Sequence, residues 1–361
     1  MRYYVISGET SGDNHASRVI SELKKLDSDA HFRGMGGDQS EAAGQELLIH
    51  QKEMAIMGLV EILSSLRKIA RNLKKVKQDI AEWHPDLVLL VDYPGFNFKI
   101  AKYAHGLKIP VHYYISPKVW AWKENRIKRI KSYVDELYTI LPFETEYFAK
   151  RNIKAKYVGN PSKETVDEYL ATNDLHTGSK KIALLPGSRK QEISTSLPIM
   201  LDAMKQFPDY ELLVAQAPGF DNAYYHAFDQ NLTLIKNDMY SLLAQSDAAL
   251  VTSGTATLET ALMHVPQVVC YRMNELSYRI GKMIVKLDYI SLVNLILDKP
   301  CVTELIQGDF TAERIKQELN AILYDEGTKT RIKTQYADLH AQIGLSHPSV
   351  EVANYVWKSI S

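Results

Sequence analysis

Short continuous apolar runs alternate with longer stretches in which apolar residues recur every three or four positions, and this rhythm extends along most of the chain. Runs at residues 3–6, 87–91, 111–115 and 137–140 have the length and continuity of strands buried on both faces. Between the first two, Leu59, Ile62, Leu63, Leu66, Ile69, Ala70, Leu73 and Val76 fall at helical spacing, and residues 96–105 give a further helix. A second series begins at residues 182–185 and continues through 210–215, 248–252 and 267–271, again with helical patterns between. Strand–helix alternation predicts parallel sheets covered by helices, hence an α/β fold of two doubly wound halves. The best linker by composition is Gly159-Asn-Pro-Ser162 followed by the polar stretch 171–179, which places the boundary near 160–179. The expected division is therefore a first domain over 1–160, a second over 180–340, and a C-terminal helix over 341–361 that packs back on the first domain or on a partner. The stretch 309–361 reads as helical.

Composition narrows the class. A chain of 361 residues suits two α/β domains, and 45% hydrophobic with 24% charged residues is ordinary for a globular protein. No apolar run approaches the ~20 residues that span a bilayer, and the chain enters its first strand without a signal-peptide layout, so a cytoplasmic protein is expected. Cys270 and Cys301 stand singly in apolar surroundings, which favours buried thiols over a disulfide or zinc site. Zero formal charge argues against a nucleic-acid partner. Two local basic clusters break that balance: Arg67, Lys68, Arg71, Lys74, Lys75 and Lys77 on the helix over 59–77, and the stretch Lys123-Glu-Asn-Arg-Ile-Lys-Arg-Ile-Lys131 just after Trp120 and Trp122. Cationic, aromatic-flanked surfaces suit anionic lipid headgroups, whereas an ordinary solvated helix face explains the first cluster equally well.

Candidate chemistry collects where strands end. Residues 7–15, Ser-Gly-Glu-Thr-Ser-Gly-Asp-Asn-His, form a small polar loop with Ser11 or Asp13 available as a helix cap, leaving Glu9 and His15 unexplained. Neither this loop nor Gly34-Met-Gly-Gly37 has a dinucleotide fingerprint, so a dehydrogenase is a poor reading. Asp92 follows a buried strand and precedes Tyr93-Pro-Gly-Phe-Asn97. At the carboxyl end of such a strand it points toward a ligand crevice, where burial raises its pKa and suits it to accept a proton; the alternative is a capping role. In the second half, Leu184-Leu-Pro-Gly-Ser-Arg-Lys-Gln191 leads into a helix, with Ser188 and Gln191 at capping-box spacing and Arg189 and Lys190 where the helix dipole disfavours cations unless an anion binds there. A solvated helix start is the plain alternative. Ser253, Gly254 and Thr255 make a second anion-seeking turn, and Glu259, which capping does not explain, suits a ribose. Together these suggest a nucleotide diphosphate, and the absence of a Walker lysine motif speaks against NTP hydrolysis.

These motifs, with Met57-Gly-Leu-Val-Glu61 and Ser116-Pro-Lys-Val-Trp-Ala-Trp122, jointly resemble the lipid-A-disaccharide synthases along almost the whole chain. The resemblance implies a GT-B fold: two Rossmann-like domains with an interdomain cleft and C-terminal helices returning to the first domain. It implies an inverting hexosyltransferase that joins UDP-diacylglucosamine to diacylglucosamine 1-phosphate, with no cofactor and no metal. It further implies work on an anionic membrane surface at the inner face of the inner membrane, and it admits a homodimer that exchanges C-terminal segments. Asp92 resembles the general base and Glu9 and Ser11 acceptor-side groups, Glu9 counting with Asp92 and Arg189 among the catalytic candidates. Arg189 resembles the donor-side arginine that steadies the leaving UDP. Acceptor-side candidates are Ser11, His15 and Asn97; donor-side candidates are Gly187, Ser188, Arg189, Ser253, Gly254, Thr255, Glu259 and Asn294. Two positions depart from the family pattern, Asn160 where histidine is expected and Thr303 where proline is expected. A UDP-sugar epimerase of GT-B type and a non-catalytic nucleotide-sugar-binding protein are the alternatives, the first lacking need of a lipid-facing surface.

Overall fold

The computed structural model describes residues 1–54, 62–122, 124–175, 178–252, 254–275, 278–279, 287–344 and 347–361. The chain forms two compact units, one comprising Met1–Pro161 and Leu345–Ser361, the other Ser162–Gly344.

In the first unit, β1 (Arg2–Ser7), β2 (His31–Gly36), β3 (Gln45–His50), β4 (Leu87–Val91), β5 (Val111–Tyr114), β6 (Glu136–Thr139) and β7 (Ala155–Tyr157) form a parallel sheet ordered β3-β2-β1-β4-β5-β6-β7. Alternate side chains of each central strand feed different cores. Tyr4, Ile6, Val88 and Leu90 pack with Val76, Ile80, Phe96 and Ile100 on one face. Tyr3, Val5, Leu87 and Leu89 pack with Val19, Ile20, Leu23, Val352, Ala353 and Val356 on the other. Burial on both faces is why these strands read as unbroken apolar runs. Each fully buried aliphatic side chain contributes roughly 1.5–3 kcal/mol. The final helix Pro348–Ile360 thus completes the first unit of its own chain, beside the helix Thr10–Leu26.

The second unit holds β8 (Lys181–Leu185), β9 (Glu211–Gln216), β10 (Thr233–Lys236), β11 (Ala248–Thr252), β12 (Gln267–Tyr271) and β13 (Thr303–Ile306), again parallel, ordered β10-β9-β8-β11-β12-β13. In each sheet the strand order reverses beside the unit's first strand: β1 lies between β2 and β4, and β8 between β9 and β11. Open parallel sheets bind ligands outside the carboxyl ends of the strands at such a reversal.

Several expectations are revised. Strands β2, β3, β7, β10 and β13 were not legible as apolar runs, for they mix polar residues or glycine into short segments. The linker region contains a regular helix, Pro161–Leu170. Ala70 is exposed rather than core-facing, whereas Val76 and Ile80 of the helix Ile62–Trp83 are buried and Arg67, Arg71, Lys74 and Lys75 are exposed. Residues 55–61, which include the Met57–Glu61 motif and the start of the basic pattern, lie outside the described residues, as do Lys123 and Ser253.

Candidate active site

At the reversal of the first sheet, Ser7 of β1 is in register with Val91 of β4, so the loop carrying Glu9 leaves the sheet beside Asp92. Asp92 and Tyr93 both adopt left-handed backbone, with φ +46° and +47°. Two successive non-glycine residues in that region are strained, and such strain persists only where surroundings enforce it. Here the Asp92 N–H donates to the Tyr114 carbonyl at 3.0 Å. The Asp92 carbonyl accepts from Asn97 Nδ2 at 2.8 Å and from the Tyr113 hydroxyl. The Asp92 carboxyl sits above the usual carboxylate range, mainly because burial disfavours its charged form and further because Glu9 is negative; Lys118, the Tyr93 backbone and Arg126 oppose the shift. A carboxylate in that state is a better proton acceptor near neutral pH.

The remaining first-unit candidates divide. Ser11 is exposed on the first turn of the helix Thr10–Leu26, and His15 lies one turn further, half-buried. Burial, then the charge of Arg18, lowers the His15 pKa to about 4, so its ring is neutral at pH 7. Asn97 is corrected: it is fully buried and its amide holds the Asp92 carbonyl, which makes it a support of the strained turn rather than a ligand contact. The helix cap is corrected too. Glu9, not Ser11 or Asp13, occupies the N-cap position, without a side-chain capping bond. Asp13 instead accepts from the N–H groups of Gly37, Gln39 and Ser40 at 2.7, 3.0 and 3.2 Å, binding the Gly34–Gly37 turn to the first helix. A β-carbon on Gly37 would come within 2.6 Å of that carboxylate, so this glycine serves packing.

The motif Ser116–Trp122 also has an internal task. Glu144, 1% exposed, accepts from Ser116 Oγ at 2.7 Å, Trp120 Nε1 at 2.9 Å and the N–H groups of Ile140 and Leu141 at 3.1 and 3.0 Å. These four donors tie the loop after β5 to the turn after β6. Asn160 is buried and donates to the Ile140 carbonyl at 3.0 Å, so the substituted position still braces this region.

In the second unit, Leu185 of β8 is in register with Val251 of β11, which sets the Gly187–Arg189 turn beside the Gly254–Thr255 turn. The helix Lys190–Met204 begins one residue later than the capping-box spacing suggested. Arg189 is its N-cap, and Glu192 supplies the reciprocal carboxylate, accepting from the Ser188 and Arg189 N–H groups at 3.0 and 3.2 Å. Glu192 therefore already fills part of the expected anion cradle, and attraction for phosphate rests on the Arg189 side chain, Lys190 and the helix field. Arg189 is 83% exposed, with a 3.3 Å contact to Glu192. Gly187, with φ +110°, lies against Glu192: a β-carbon there would be 2.6 Å from the glutamate's own. Gly254 and Thr255 are exposed at the start of the helix Thr255–Leu262. One turn on, Glu259 Oε1 accepts from Ser162 Oγ at 3.2 Å and the Tyr240 hydroxyl at 3.1 Å, and burial raises its pKa while those two bonds oppose the rise.

Asn294 is a further correction. It is 1% exposed; its Oδ1 accepts from the Cys301 and Val302 N–H groups, and its Nδ2 donates to the Val302 carbonyl and Glu304, all at 2.8–2.9 Å. Every polar valence is used inside the fold, leaving none for a donor sugar. Thr303 donates to Glu318 at 2.8 Å, a bond that proline could not supply. A cavity of about 570 Å³, bordered by Tyr210, Asp247 and Pro266, opens at the amino ends of β9, β11 and β12, away from these turns. Lys118, and Glu192 beneath Arg189, carry no chemical signal in sequence, and Arg126 is read there only as one of the basic residues 123–131; the return of their loops to the strand ends brings them in.

A family model described as lipid-A-disaccharide synthetase matches residues 3–355. A lipid-A-disaccharide synthase of Nitrosococcus oceani is 37% identical over 354 residues, covering 94% of this chain and 92% of that protein. One of Myxococcus xanthus is 35% identical, covering 98% and 96%. Among solved structures, the glycosyltransferase of kitacinnamycin superposes with a TM-score of 0.68 at 13% identity, covering 100% and 99%; the UDP-GlcNAc 2-epimerase of Neisseria meningitidis gives 0.63 at 13%, covering 99% and 100%. These structural likenesses show the shared two-domain GT-B fold.

Proposed function

Because the chain belongs to the lipid-A-disaccharide synthase family, whose members are hexosyltransferases acting on lipid-linked sugars, we propose that it transfers diacylglucosamine from UDP-2,3-diacylglucosamine to 2,3-diacylglucosamine 1-phosphate. The products are the β(1→6) disaccharide 1-phosphate and UDP, formed by one in-line displacement with inversion. An epimerase is not favoured, since the relatives at 35–37% identity are synthases.

The observation that carries the reading is Asp92: a proton-accepting carboxyl with raised pKa, fixed by a strained turn at a sheet reversal. It takes the proton of the acceptor's 6-hydroxyl as that oxygen attacks the donor's anomeric carbon. The bond from that carbon to the phosphate oxygen breaks, and its electron pair leaves with UDP. Arg189, Lys190 and the starts of the helices Lys190–Met204 and Thr255–Leu262 counter the charge that gathers on the leaving diphosphate. Glu259, oriented by Ser162 and Tyr240, accepts from a ribose hydroxyl. Glu9 keeps Asp92 basic.

No helix among the described residues is long and apolar enough to cross a membrane. The exposed Arg67, Arg71, Lys74 and Lys75 support peripheral attachment to anionic lipid at the inner face of the inner membrane. Incubation of the protein with UDP-diacylglucosamine tests the function: UDP release that requires diacylglucosamine 1-phosphate, with a β-linked disaccharide product by NMR, supports it. Acceptor-independent release, or a C2-epimerised donor, would overturn it.

A further inference from the structure

Among the described residues, two cations whose charge bears on Asp92 hold no carboxylate. Lys118 and Arg126 both lie on the segment that follows β5, the neighbour of β4, and so reach the same carboxyl edge of the sheet as Asp92. Asp92 is bonded directly to that neighbour through its N–H and the Tyr114 carbonyl. Among the described residues, neither cation makes an ion pair or a side-chain hydrogen bond, whereas Arg33, Arg151 and Lys163 each hold a carboxylate within 2.8 Å. Lys118 is exposed. Arg126 is half-buried and its guanidinium lies over the Trp122 ring, 5.6 Å from the centroid. Stacking fixes the plane of the guanidinium and leaves its N–H groups to donate elsewhere. A planar fork that is partly desolvated and unpaired is suited to a phosphate, which it binds with two parallel hydrogen bonds. Burial weighs against the Arg126 charge, as does Arg129, whereas Tyr113 and Asp92 favour it.

We propose that Arg126 and Lys118 form the subsite for the anomeric phosphate of the acceptor, and so set the acceptor's orientation over Asp92. This rests on the transfer reaction given above. It separates Arg126 from the exposed Lys128, Arg129 and Lys131 further along the same segment, which remain available to lipid headgroups. A phosphate anchored at the reducing end lets the enzyme prefer the phosphorylated sugar over its dephosphorylated form. Both residues are therefore positioning and specificity residues, and neither takes part in proton transfer.

The test compares two acceptors, diacylglucosamine 1-phosphate and unphosphorylated diacylglucosamine, in detergent micelles free of phospholipid. Wild-type protein must first show transfer to the phosphorylated acceptor; its failure would sink the transfer reading itself rather than this subsite. Given that activity, Arg126→Met and Lys118→Met should each raise KM for the phosphorylated acceptor roughly ten- to hundredfold, the scale of losing a charge-assisted hydrogen bond. Activity on the unphosphorylated acceptor and UDP affinity should stay within about twofold, and Arg126→Lys should recover part of the loss. Inorganic phosphate should inhibit wild type competitively against the acceptor and lose that effect in Arg126→Met. Equal losses on both acceptors, or a defect seen only in vesicle binding, would overturn the assignment, the latter giving these cations to lipid headgroups instead.

Discussion

The Tyr93 ring lies where a side chain on Gly8 would be: a β-carbon at residue 8 would come within 2.3 Å of it. The loop of Glu9 and the turn of Asp92 are thus packed against each other across the sheet reversal. Gly8→Ala should displace that ring, cost about 1–3 kcal/mol as an overpacked contact, and lower turnover without altering UDP affinity. Thermal unfolding of Gly8→Ala, Tyr93→Ala and the double variant checks this. The double variant should recover stability relative to Gly8→Ala, and strict additivity would count against the contact.

The raised pKa of Asp92 fixes the sign of the pH profile. The base must be ionised to act, so kcat/KM should fall as pH drops through a value above the usual carboxylate range. Burial is the main cause and Glu9 the second. Glu9→Gln should therefore move the acid limb to lower pH while turnover at pH 8 persists. An unmoved limb would remove Glu9 from the neighbourhood of the base.

Glu144 is a buried anion satisfied by four donors and no cation among the described residues. Glu144→Gln turns its amide group toward two of those donors, which should cost about 2–4 kcal/mol of stability. A denaturant titration with unchanged slope and lower midpoint is expected; an unchanged midpoint would mean the cluster is dispensable.

His112 is buried against the Tyr138 hydroxyl at 2.9 Å, and burial, then Lys156, lowers its pKa to about 3. Its folded pKa lies below the unfolded value near 6.5, so the unfolded chain binds the extra proton between those limits and stability falls as pH drops from 6.5 toward 3. The slope is at most about 1.4 kcal/mol per pH unit for this group. His112→Gln should flatten that part of the stability curve, as followed by denaturant midpoints at pH 7, 6 and 5.

Asn294 distinguishes support from contact. Its removal in Asn294→Ala strands the N–H groups of Cys301 and Val302 and should cost about 2–4 kcal/mol. UDP affinity of the fraction that remains folded should be unchanged; a selective loss of affinity at full stability would restore Asn294 to the donor site.

Much of the fold is legible in sequence because central parallel strands are apolar on both faces. Val111–Tyr114 and Ala248–Thr252 announce themselves for that reason, whereas β2 is interrupted by Gly34 and β7 is three half-buried residues. The strand-end rule located Asp92, Glu9, Arg189 and Gly254. What it could not distinguish was a polar residue facing outward from one turned inward: Asn97 and Asp13 stand in the same motifs as the chemical groups, and they and Asn294 are buried in hydrogen bonds to backbone. Spacing gave the helix start at Ser188, whereas Arg189 is the N-cap and the Glu192 carboxylate takes the Ser188 and Arg189 N–H groups. Lys118 escaped, and Arg126 was read only as part of the basic stretch 123–131, because nothing in their own segment points to Asp92.

Peripheral attachment is tested through the cations of the helix Ile62–Trp83. Replacing Arg67, Lys68, Arg71 and Lys74 with serine should weaken binding to anionic vesicles at low salt and leave little difference at high salt, where surface charge is screened. Equal sedimentation with vesicles at low salt would contradict a headgroup-binding role.

The most direct measurement is the turnover of Asp92→Asn with diacylglucosamine 1-phosphate as acceptor, made alongside calorimetric titration of UDP. Asparagine keeps the side chain's size but cannot take the proton. Turnover should fall by about 10²–10⁴-fold, the contribution of a positioned base, with UDP affinity unchanged. Near-wild-type turnover would place the base elsewhere and contradict the central claim.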